Sequence, residues 1–457
     1  MMKILKFGGT SMGSPKALTQ IESIFRSRIE MGEQSILVCS AMSGVTNQLF
    51  EIGKMAEKRR LSHAMELFES VKNRHMEAAE ALGVRPYFEA YATALLEDLK
   101  NLIKGIGLIL ELSERSKAYL MSFGERLSTR LLTAYLKKKG HPVEQFDSTF
   151  IKTAGKNFIK DEVDLPLTRQ AIDAVLTTPL QNGISPVITG FFGTNQESVI
   201  SLLGRGGSDY SGAILTVCLG AKTLEIWTDV DGFLTADPRL VKEANIIQQI
   251  GFQEAAELCF YGAKVLHPKT IRPVIEKGGE VYIRNTFNLS NKGTLITQYP
   301  TPSEVAVISI SSKKVDMITL DLFGITLNKR EVMADLFQLS KALEINVDMI
   351  AASEAQVSFC IENDQENRPH FLKKLSILCP YVIKKNRSVI CIVSPADVQG
   401  QIGIAGKIFT TIAESGVSVE MYSQNASEIA QLIVVKSEVS DKVITKLHEN
   451  LVIRPIE

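Results

Sequence analysis

The sequence predicts an α/β protein: an open, mainly parallel sheet flanked by helices, followed by two small α+β units. Three observations carry the prediction. Short apolar runs of strand length alternate with stretches of helical spacing as far as residue 296. Glycine-rich turns close several of those runs, where open sheets bind ligands. The pattern from Leu336 to Met349 recurs from Ile408 to Met421, an offset of 72 residues, so the last third contains an internal repeat.

The first run, Lys3-Ile4-Leu5-Lys6-Phe7, suits a buried strand and opens into Gly8, Gly9, Thr10 and Ser11. The glycines let backbone approach a ligand closely, and the Thr-Ser pair is placed to cap a following helix. Backbone N–H groups at such a turn favour an anion, and Lys6 adds a mobile cation. Residues 17–31 have helical spacing, with Leu18, Ile21, Ile24, Phe25 and Ile29 on one side and Gly32 at the end. Residues 36–39 form a continuous apolar run typical of a strand buried on both faces, followed by the hydroxyls of Ser40, Ser43 and Thr46. Together these segments read as a βαβ unit.

Residues 54–116 are mostly helical by period and broken near Gly83 and Pro86; their charges read as a solvated face, with no motif among them. In Met121-Ser122-Phe123-Gly124-Glu125-Arg126, Glu125 is expected to open a helix with Leu127, Leu131, Leu132 and Tyr135 on its apolar side. That glutamate suits either a binding role or the ordinary one of a first-turn acid facing the helix dipole. Strands are expected at 143–146 and 187–189, the second running into Gly190 and Phe191. The densest motif, L-G-R-G-G-S-D-Y-S from Leu203, precedes an apolar helix over 213–219. It is a second glycine-rich turn at a helix N-terminus, now carrying Arg205 and Asp209, and a mere connection gains nothing from so much glycine beside charge.

Residues 224–227 read as a strand, 260–268 as a helix-rich segment holding Lys264, and 281–284 as the final strand of the first domain. The expected division is a domain over 1–296, a linker with two prolines over 297–304, and a second region over 305–457. Each copy of the repeat reads as helix, strand, polar turn and strand. Such a unit is too small to be secure alone, so two should pair their sheets, within the chain or with a second chain.

Composition excludes several classes. The 51 Lys and Arg balance 51 Asp and Glu, giving no basic field for nucleic acid, so the partner is expected to be small. Six cysteines without a C-x-x-C pair, most in apolar runs, read as reduced thiols of a cytoplasmic protein. No two of the six histidines stand at metal-ligand spacing, and no apolar run reaches the ~20 residues that span a membrane. The first strand follows directly after Met1-Met2, so no export signal is expected.

Six motifs in order resemble the aspartate kinase family over essentially the whole chain: K-F-G-G-T-S from Lys6, S-F-G-E ending at Glu125, G-R-G-G-S-D-Y from Gly204, W-T-D-V-D-G from Trp227, A-D-P-R ending at Arg239, and G-A-K-V-L-H-P from Gly262. The resemblance implies the amino-acid kinase fold followed by two ACT-like, ferredoxin-like regulatory units, one (about 315–388) inserted between 305–314 and 389–457, with no fused homoserine dehydrogenase. It implies ATP-dependent phosphorylation of the side-chain carboxylate of L-aspartate, with Mg²⁺ bridging phosphate oxygens and no protein side chain assigned to the metal. Such a nucleophile needs no general base, since its reference pKa is about 3.9. The obstacle is repulsion between an anionic nucleophile and a polyanionic phosphate, which calls for cations and N–H donors.

By the resemblance, Lys6 with Gly8 and Gly9 holds the transferring phosphoryl group, and Asp209 orients the cationic groups. Thr228, Asp229, Arg239 and Lys264 meet the nucleotide, and Leu234 stands where some members place a tyrosine. For the substrate, Arg205 can grip the α-carboxylate and Glu125 can pair with the α-ammonium, while Ser40, Thr46 and Ser208 supply hydrogen bonds and Phe191 a wall. Residues 345–354 look like the effector segment of lysine-sensitive members, with Asn346, Val347, Asp348, Ser353 and Glu354, together with Thr326, as the expected contacts. A strand edge with ordinary turn carboxylates accounts for the same residues. L-lysine is the expected effector, with threonine or none as alternatives because the loop over 326–331 departs from the lysine-sensitive pattern. A homodimer or larger assembly through the ACT-like units is expected. The competing functions are a kinase of another carboxylate, such as acetylglutamate, and a non-catalytic amino-acid sensor.

Overall fold

The computed structural model describes residues 2–262, 265–302, 305–323 and 328–452. The chain forms two compact units, one of Met1–Gly232, Gln248–Phe252 and Val265–Gln298, the other of Phe233–Ile247, Gln253–Lys264 and Tyr299–Glu457. Two stretches that sequence order puts in the first domain thus belong to the second unit. The cause is visible in its packing: Ala236 and Val241 are buried with Ile408 and Ile412, and Glu254 accepts the Ala396 N–H at 3.0 Å.

The chain begins β1 (Met2–Phe7), α1 (Pro15–Glu30) and β2 (Gln34–Cys39), then four helices, α2 (Val45–Glu57), α3 (Leu61–Ala81), α4 (Arg85–Ile109) and α5 (Glu114–Lys138). Next are β3 (Val143–Phe146), α6 (Leu165–Gln181), β4 (Ser185–Thr189), a hairpin of β5 (Phe192–Thr194) and β6 (Ile200–Leu202), α7 (Gly207–Cys218) and β7 (Thr223–Thr228). There follow β8 (Gln249–Gly251), α8 (Phe252–Tyr261), α9 (Pro268–Glu276), β9 (Glu280–Asn285) and β10 (Thr294–Thr297). The expected final strand is therefore followed by one more, which pairs back on it antiparallel.

The sheet of the first unit has the order β3-β4-β2-β1-β7-β9-β10-β8. Its centre is parallel, with Lys6 opposite Val38 of β2 on one side and Ile226 of β7 on the other. Ile4, Leu5 and Phe7 are fully buried, each contributing roughly 1.5–3 kcal/mol, which fixes the strand that carries Lys6. The chain leaves β1 for β2 on one flank and reaches β7 on the other only after β4. Strand order reverses at β1, and ligand sites of open sheets form outside the carboxyl ends of such strands.

Three local expectations are corrected. Ser14, not the Thr10-Ser11 pair, caps α1: its Oγ accepts the Ala17 N–H at 3.2 Å, and Pro15 has the N1 place where a missing N–H is harmless. Ser11 instead donates its hydroxyl to the Trp227 carbonyl at 3.1 Å. Glu125 does not open a helix but lies in the middle of α5, whose cap is Ser113. α7 starts at Gly207, so Ser208 and Asp209 stand in its first turn rather than in the loop before it.

The second unit continues with β11 (Ser309–Asp321), α10 (Lys329–Ala342), β12 (Val347–Ala352), β13 (Gln356–Ile361), α11 (Arg368–Leu378), β14 (Tyr381–Val393), α12 (Ile404–Glu414), β15 (Met421–Gln424), β16 (Ala430–Lys436) and α13 (Ser437–Leu447). One six-stranded sheet runs β12-β13-β11-β14-β16-β15. The long strands β11 and β14 pair from Ser309↔Val393 to Leu320↔Tyr381, with an irregularity between Val315 and Met317. β13 pairs only with residues 316–321 of β11, and β16 only with 387–393 of β14. The two repeat copies therefore complete opposite halves of shared strands, and their sheets join within the chain. Among the described residues, no helix is long and apolar enough to cross a membrane.

Candidate active site

At the end of β1, Lys6 Nζ lies 2.6 Å from Asp209 Oδ1, with the two side chains only 9% and 11% exposed. The aspartate comes from the first turn of α7, where a carboxylate is favoured by the helix dipole. That turn can sit so close because residue 190 is glycine: a Cβ there would stand 2.7 Å from Ser208 Cβ. Beyond Lys6, the Gly8 N–H donates to the Trp227 carbonyl at 2.9 Å and the Gly9 carbonyl accepts the Ser43 N–H at 3.0 Å. The glycine turn is thus held between the ends of β7 and β2.

Glu125 enters from α5, and Gly124 lets that helix approach, since a Cβ there would meet Ala41 Cβ at 2.8 Å. Its Oε1 accepts the Ala41 N–H at 3.1 Å, while Oε2 is buried without a hydrogen-bond partner. Burial pushes the Glu125 carboxyl up to about 8, against the opposing pull of the Ala41 N–H and the positive charge of Lys6. A half-satisfied buried carboxyl keeps one oxygen for a further donor or counter-ion.

The other predicted residues of this unit cluster on the same strand ends. The Ser40 N–H donates to the Phe7 carbonyl at 3.1 Å, and its own carbonyl accepts the Ser128 hydroxyl at 2.8 Å. Thr46 stands in the first turn of α2. Phe191 is held at φ 78°, with its N–H donating to Ser211 Oγ at 3.1 Å. Arg205 is exposed on the turn into α7, and His267 is lowered in pKa first by burial and then by the charge of Arg205. Thr228 ends β7 and donates its hydroxyl to exposed Asp229 at 3.1 Å.

Leu234 and Arg239 belong to the second unit. The Leu234 carbonyl accepts the Ser309 hydroxyl at 2.8 Å, and the exposed Arg239 folds its fork onto Asp237 at 2.6 Å. Lys264 and Thr326 lie outside the described residues. Asp348 has no exposed side-chain surface and lies 3.1 Å from Lys313 Nζ. Burial raises its pKa, and Lys313 opposes the rise. Lys313 also meets Glu362 at 2.6 Å and lies 4.7 Å from the centre of the Phe260 ring, while the Tyr261 hydroxyl donates to the Asp348 carbonyl at 3.4 Å. Of the neighbouring candidates, the Asn346 N–H donates to Gln365 at 2.7 Å, Val347 pairs with Ile361, the Ser353 N–H donates to the Gln356 carbonyl at 2.8 Å, and Glu354 is paired with Lys329.

Sequence reasoning missed Glu225. It is fully buried in β7, takes Arg28 Nη2 at 2.8 Å on both oxygens and the Trp227 indole N–H at 3.1 Å, and so fixes the residue whose carbonyl holds Gly8. The available signal was a lone acid in the otherwise apolar strand L-E-I-W. Lys313 was missed for the converse reason: on sequence it is one of two adjacent surface-like lysines.

The model of the amino acid kinase family matches residues 1–285, the part of the chain that holds this open, mainly parallel sheet and the buried lysine–aspartate pair at its switch point, and an ACT domain model matches 390–451. Aspartokinase 2, chloroplastic, of Arabidopsis thaliana is 32% identical over 464 residues, covering 97% of this chain and 83% of that protein. The aspartokinase of Saccharomyces cerevisiae is 29% identical over 490 residues, covering 98% and 92%. Among solved structures, E. coli aspartokinase III in complex with aspartate and ADP (R-state) matches with a TM-score of 0.81 at 27% identity, covering 99% of this chain and all of that one. The same enzyme in complex with lysine and aspartate (T-state) matches with a TM-score of 0.84 at 27% identity, covering 98% and 99%. The chain belongs to the aspartokinases and is an aspartate kinase.

Proposed function

We propose that the chain transfers the γ-phosphoryl group of ATP to the side-chain carboxylate of L-aspartate, giving 4-phospho-L-aspartate for the pathway to lysine, threonine and methionine. The observation that carries this reading is the buried, half-satisfied Glu125 within the field of the Lys6–Asp209 pair. A carboxylate oxygen attacks phosphorus while the bond to the bridging oxygen of ADP breaks, and no proton moves. What the protein must supply is charge. Lys6, held by Asp209, faces the phosphoryl group, and the N–H groups of Gly9 and of Ser208 and Asp209 in the first turn of α7 add donors.

Glu125 pairs with the α-ammonium and Arg205 with the α-carboxylate, so the zwitterionic end of aspartate is read by one group of each sign. Ser40, Thr46 and Ser208 complete the substrate contacts, and Phe191 bounds them. Gly8, Gly9, Thr228 and Asp229 are assigned to the nucleotide; Leu234, Arg239 and Lys264 join them by motif alone. Mg²⁺ would be held by the phosphate oxygens and would neutralise part of their charge, with no protein side chain assigned to it. The E. coli aspartokinase III complexes, one with aspartate and ADP and one with lysine and aspartate, support aspartate, an adenine nucleotide and a lysine effector here.

Lysine is assigned to the 345–354 segment, with Asn346, Val347, Asp348, Ser353, Glu354 and Thr326 as contacts. Its side-chain ammonium would compete with Lys313 for Asp348. A homodimer or larger assembly through the ACT units and a cytoplasmic location complete the reading, the latter supported by six free cysteines. An ADP-release assay with aspartate, glutamate and acetylglutamate tests it: aspartate should be strongly preferred, and preference for either of the others overturns the assignment.

A further inference from the structure

The long helical stretch that carries no motif contains one side chain that reaches both strand-end turns of the site. Arg74 projects from α3, anchored on either side by Val71, fully buried, and His75, 1% exposed. Its Nη1 donates to the Ser43 carbonyl at 2.7 Å, and its Nη2 to the Gly13 carbonyl at 3.2 Å. Gly13 belongs to the turn between β1 and α1, and Ser43 to the turn between β2 and α2. Gly13 precedes Ser14, the N-cap of α1, and Ser43 precedes Gly44, the N-cap of α2. One planar fork therefore ties together the peptides that lead into two helix N-termini.

The physical consequence follows from peptide geometry. In a trans peptide the N–H points opposite to the carbonyl, so holding the Ser43 and Gly13 carbonyls also sets the direction of the Gly44 and Ser14 N–H groups. The two turns already touch, through the Ser43 N–H bonded to the Gly9 carbonyl at 3.0 Å. A cation beside two helix N-termini is disfavoured by both dipoles. Its place there is explained by the two carbonyls it binds. The same charge raises the local positive potential for two anionic reactants.

The geometry points to Arg74 as a positioning residue of the kinase reaction: a clamp that sets the spacing of the phosphate turn after β1 and the substrate turn after β2. It touches neither reactant. Its effect should fall on kcat, because in-line transfer is sensitive to misplacement of about 1 Å, which costs up to 10²-fold.

The test uses the full chain and the variants Arg74→Ala, Arg74→Lys and Lys138→Ala. The last is a matched control: Lys138 binds two carbonyls, Leu82 at 3.1 Å and Gly83 at 3.0 Å, in the turn between α3 and α4, away from both active-site turns. Arg74→Ala should lose about 10- to 100-fold in kcat, with a smaller change in either KM. A few millimolar guanidinium, far below denaturing concentrations, should restore part of it. Arg74→Lys keeps the charge but lacks the planar fork whose two nitrogens reach the separate Ser43 and Gly13 carbonyls, so it should fall between, and Lys138→Ala should match the parent. Turnover of Arg74→Ala within twofold of the parent overturns the proposal. So does a loss that guanidinium leaves untouched and Arg74→Lys shares in full, since that pattern marks a fold defect.

Discussion

Aspartate binding should carry a proton-coupled limb in its pH profile, because Glu125 must be ionised to pair with an ammonium and burial pushes its carboxyl up to about 8. At that value about nine in ten free sites hold a protonated Glu125 at pH 7, and about one in ten at pH 9. Ionising it at pH 7 takes about 1.4 kcal/mol from the binding free energy. In the ADP-release assay, kcat/KM for aspartate should therefore rise close to tenfold per pH unit from about pH 6 to 7.5 and level off above about pH 8. Glu125→Gln keeps an acceptor for the Ala41 N–H but cannot become an anion. Its limb should flatten, and kcat/KM at high pH should fall about 5- to 150-fold, the equivalent of about 1–3 kcal/mol for a lost charged hydrogen bond. Stability should move the other way with pH. A carboxyl raised from 4.5 to about 8 on folding keeps a proton that the unfolded chain releases, so its contribution is full below about 4.5 and is lost as pH rises towards 8. Glu125→Gln should accordingly hold its melting temperature across that range better than the parent. If the rising limb survives intact in Glu125→Gln, the ammonium is read elsewhere and the reasoning fails.

Three further outcomes are expected. Lys6→Ala should lose at least about 100-fold in turnover and about 3–5 kcal/mol in stability, because Asp209 is left buried without its partner; adding Asp209→Ala should recover much of the stability but none of the activity, as ADP release and urea melts would show. Gly190→Ala drives a methyl to 2.7 Å from Ser208 Cβ and 2.9 Å from its Cα, so it should cost about 1–3 kcal/mol and raise the KM for aspartate; parental values of both would contradict the close approach. Asp348→Ala should weaken inhibition by lysine and leave turnover in its absence nearly intact, whereas loss of basal activity would give the Asp348–Lys313 pair a structural role.

Strand cores were legible because a parallel strand buried on both faces reads as an unbroken apolar run. The runs ending at Phe7, Cys39, Thr189 and Trp227 all became central strands. The repeat was legible too, since its two copies keep helix and strand spacing over 72 residues. Misreadings arose where one residue type serves two purposes. Glu125 was expected in a first turn that it does not occupy, since Gly124 before it is a mid-helix glycine that admits Ala41. Arg74 sits in an amphipathic helix where a solvated cation and a cation holding backbone carbonyls look alike. Membership of 233–247 and 253–264 in the second unit depends on contacts far along the chain, such as Glu254 with Ala396, which local pattern does not encode.

Two glutamates show how partners, not burial, separate structure from function. Glu225, in β7, and Glu125, in α5, are 0% and 3% exposed. Glu225 has a guanidinium on both oxygens and an indole N–H besides, with Lys3 at 3.5 Å and Arg284 at 3.8 Å, so nothing remains for a ligand to satisfy. Glu125 has one backbone N–H and one orphaned oxygen. Desolvating a carboxylate is costly unless hydrogen bonds or a counter-ion compensate; Glu225 is satisfied within the chain, and on the proposed reading Glu125 is completed by the ammonium of the substrate. A substrate with the charge to complete it must be a cation at that point and an anion elsewhere, since Lys6 and Arg205 call for negative charge. That pairing of signs is what an amino dicarboxylate offers and a simple dicarboxylate does not.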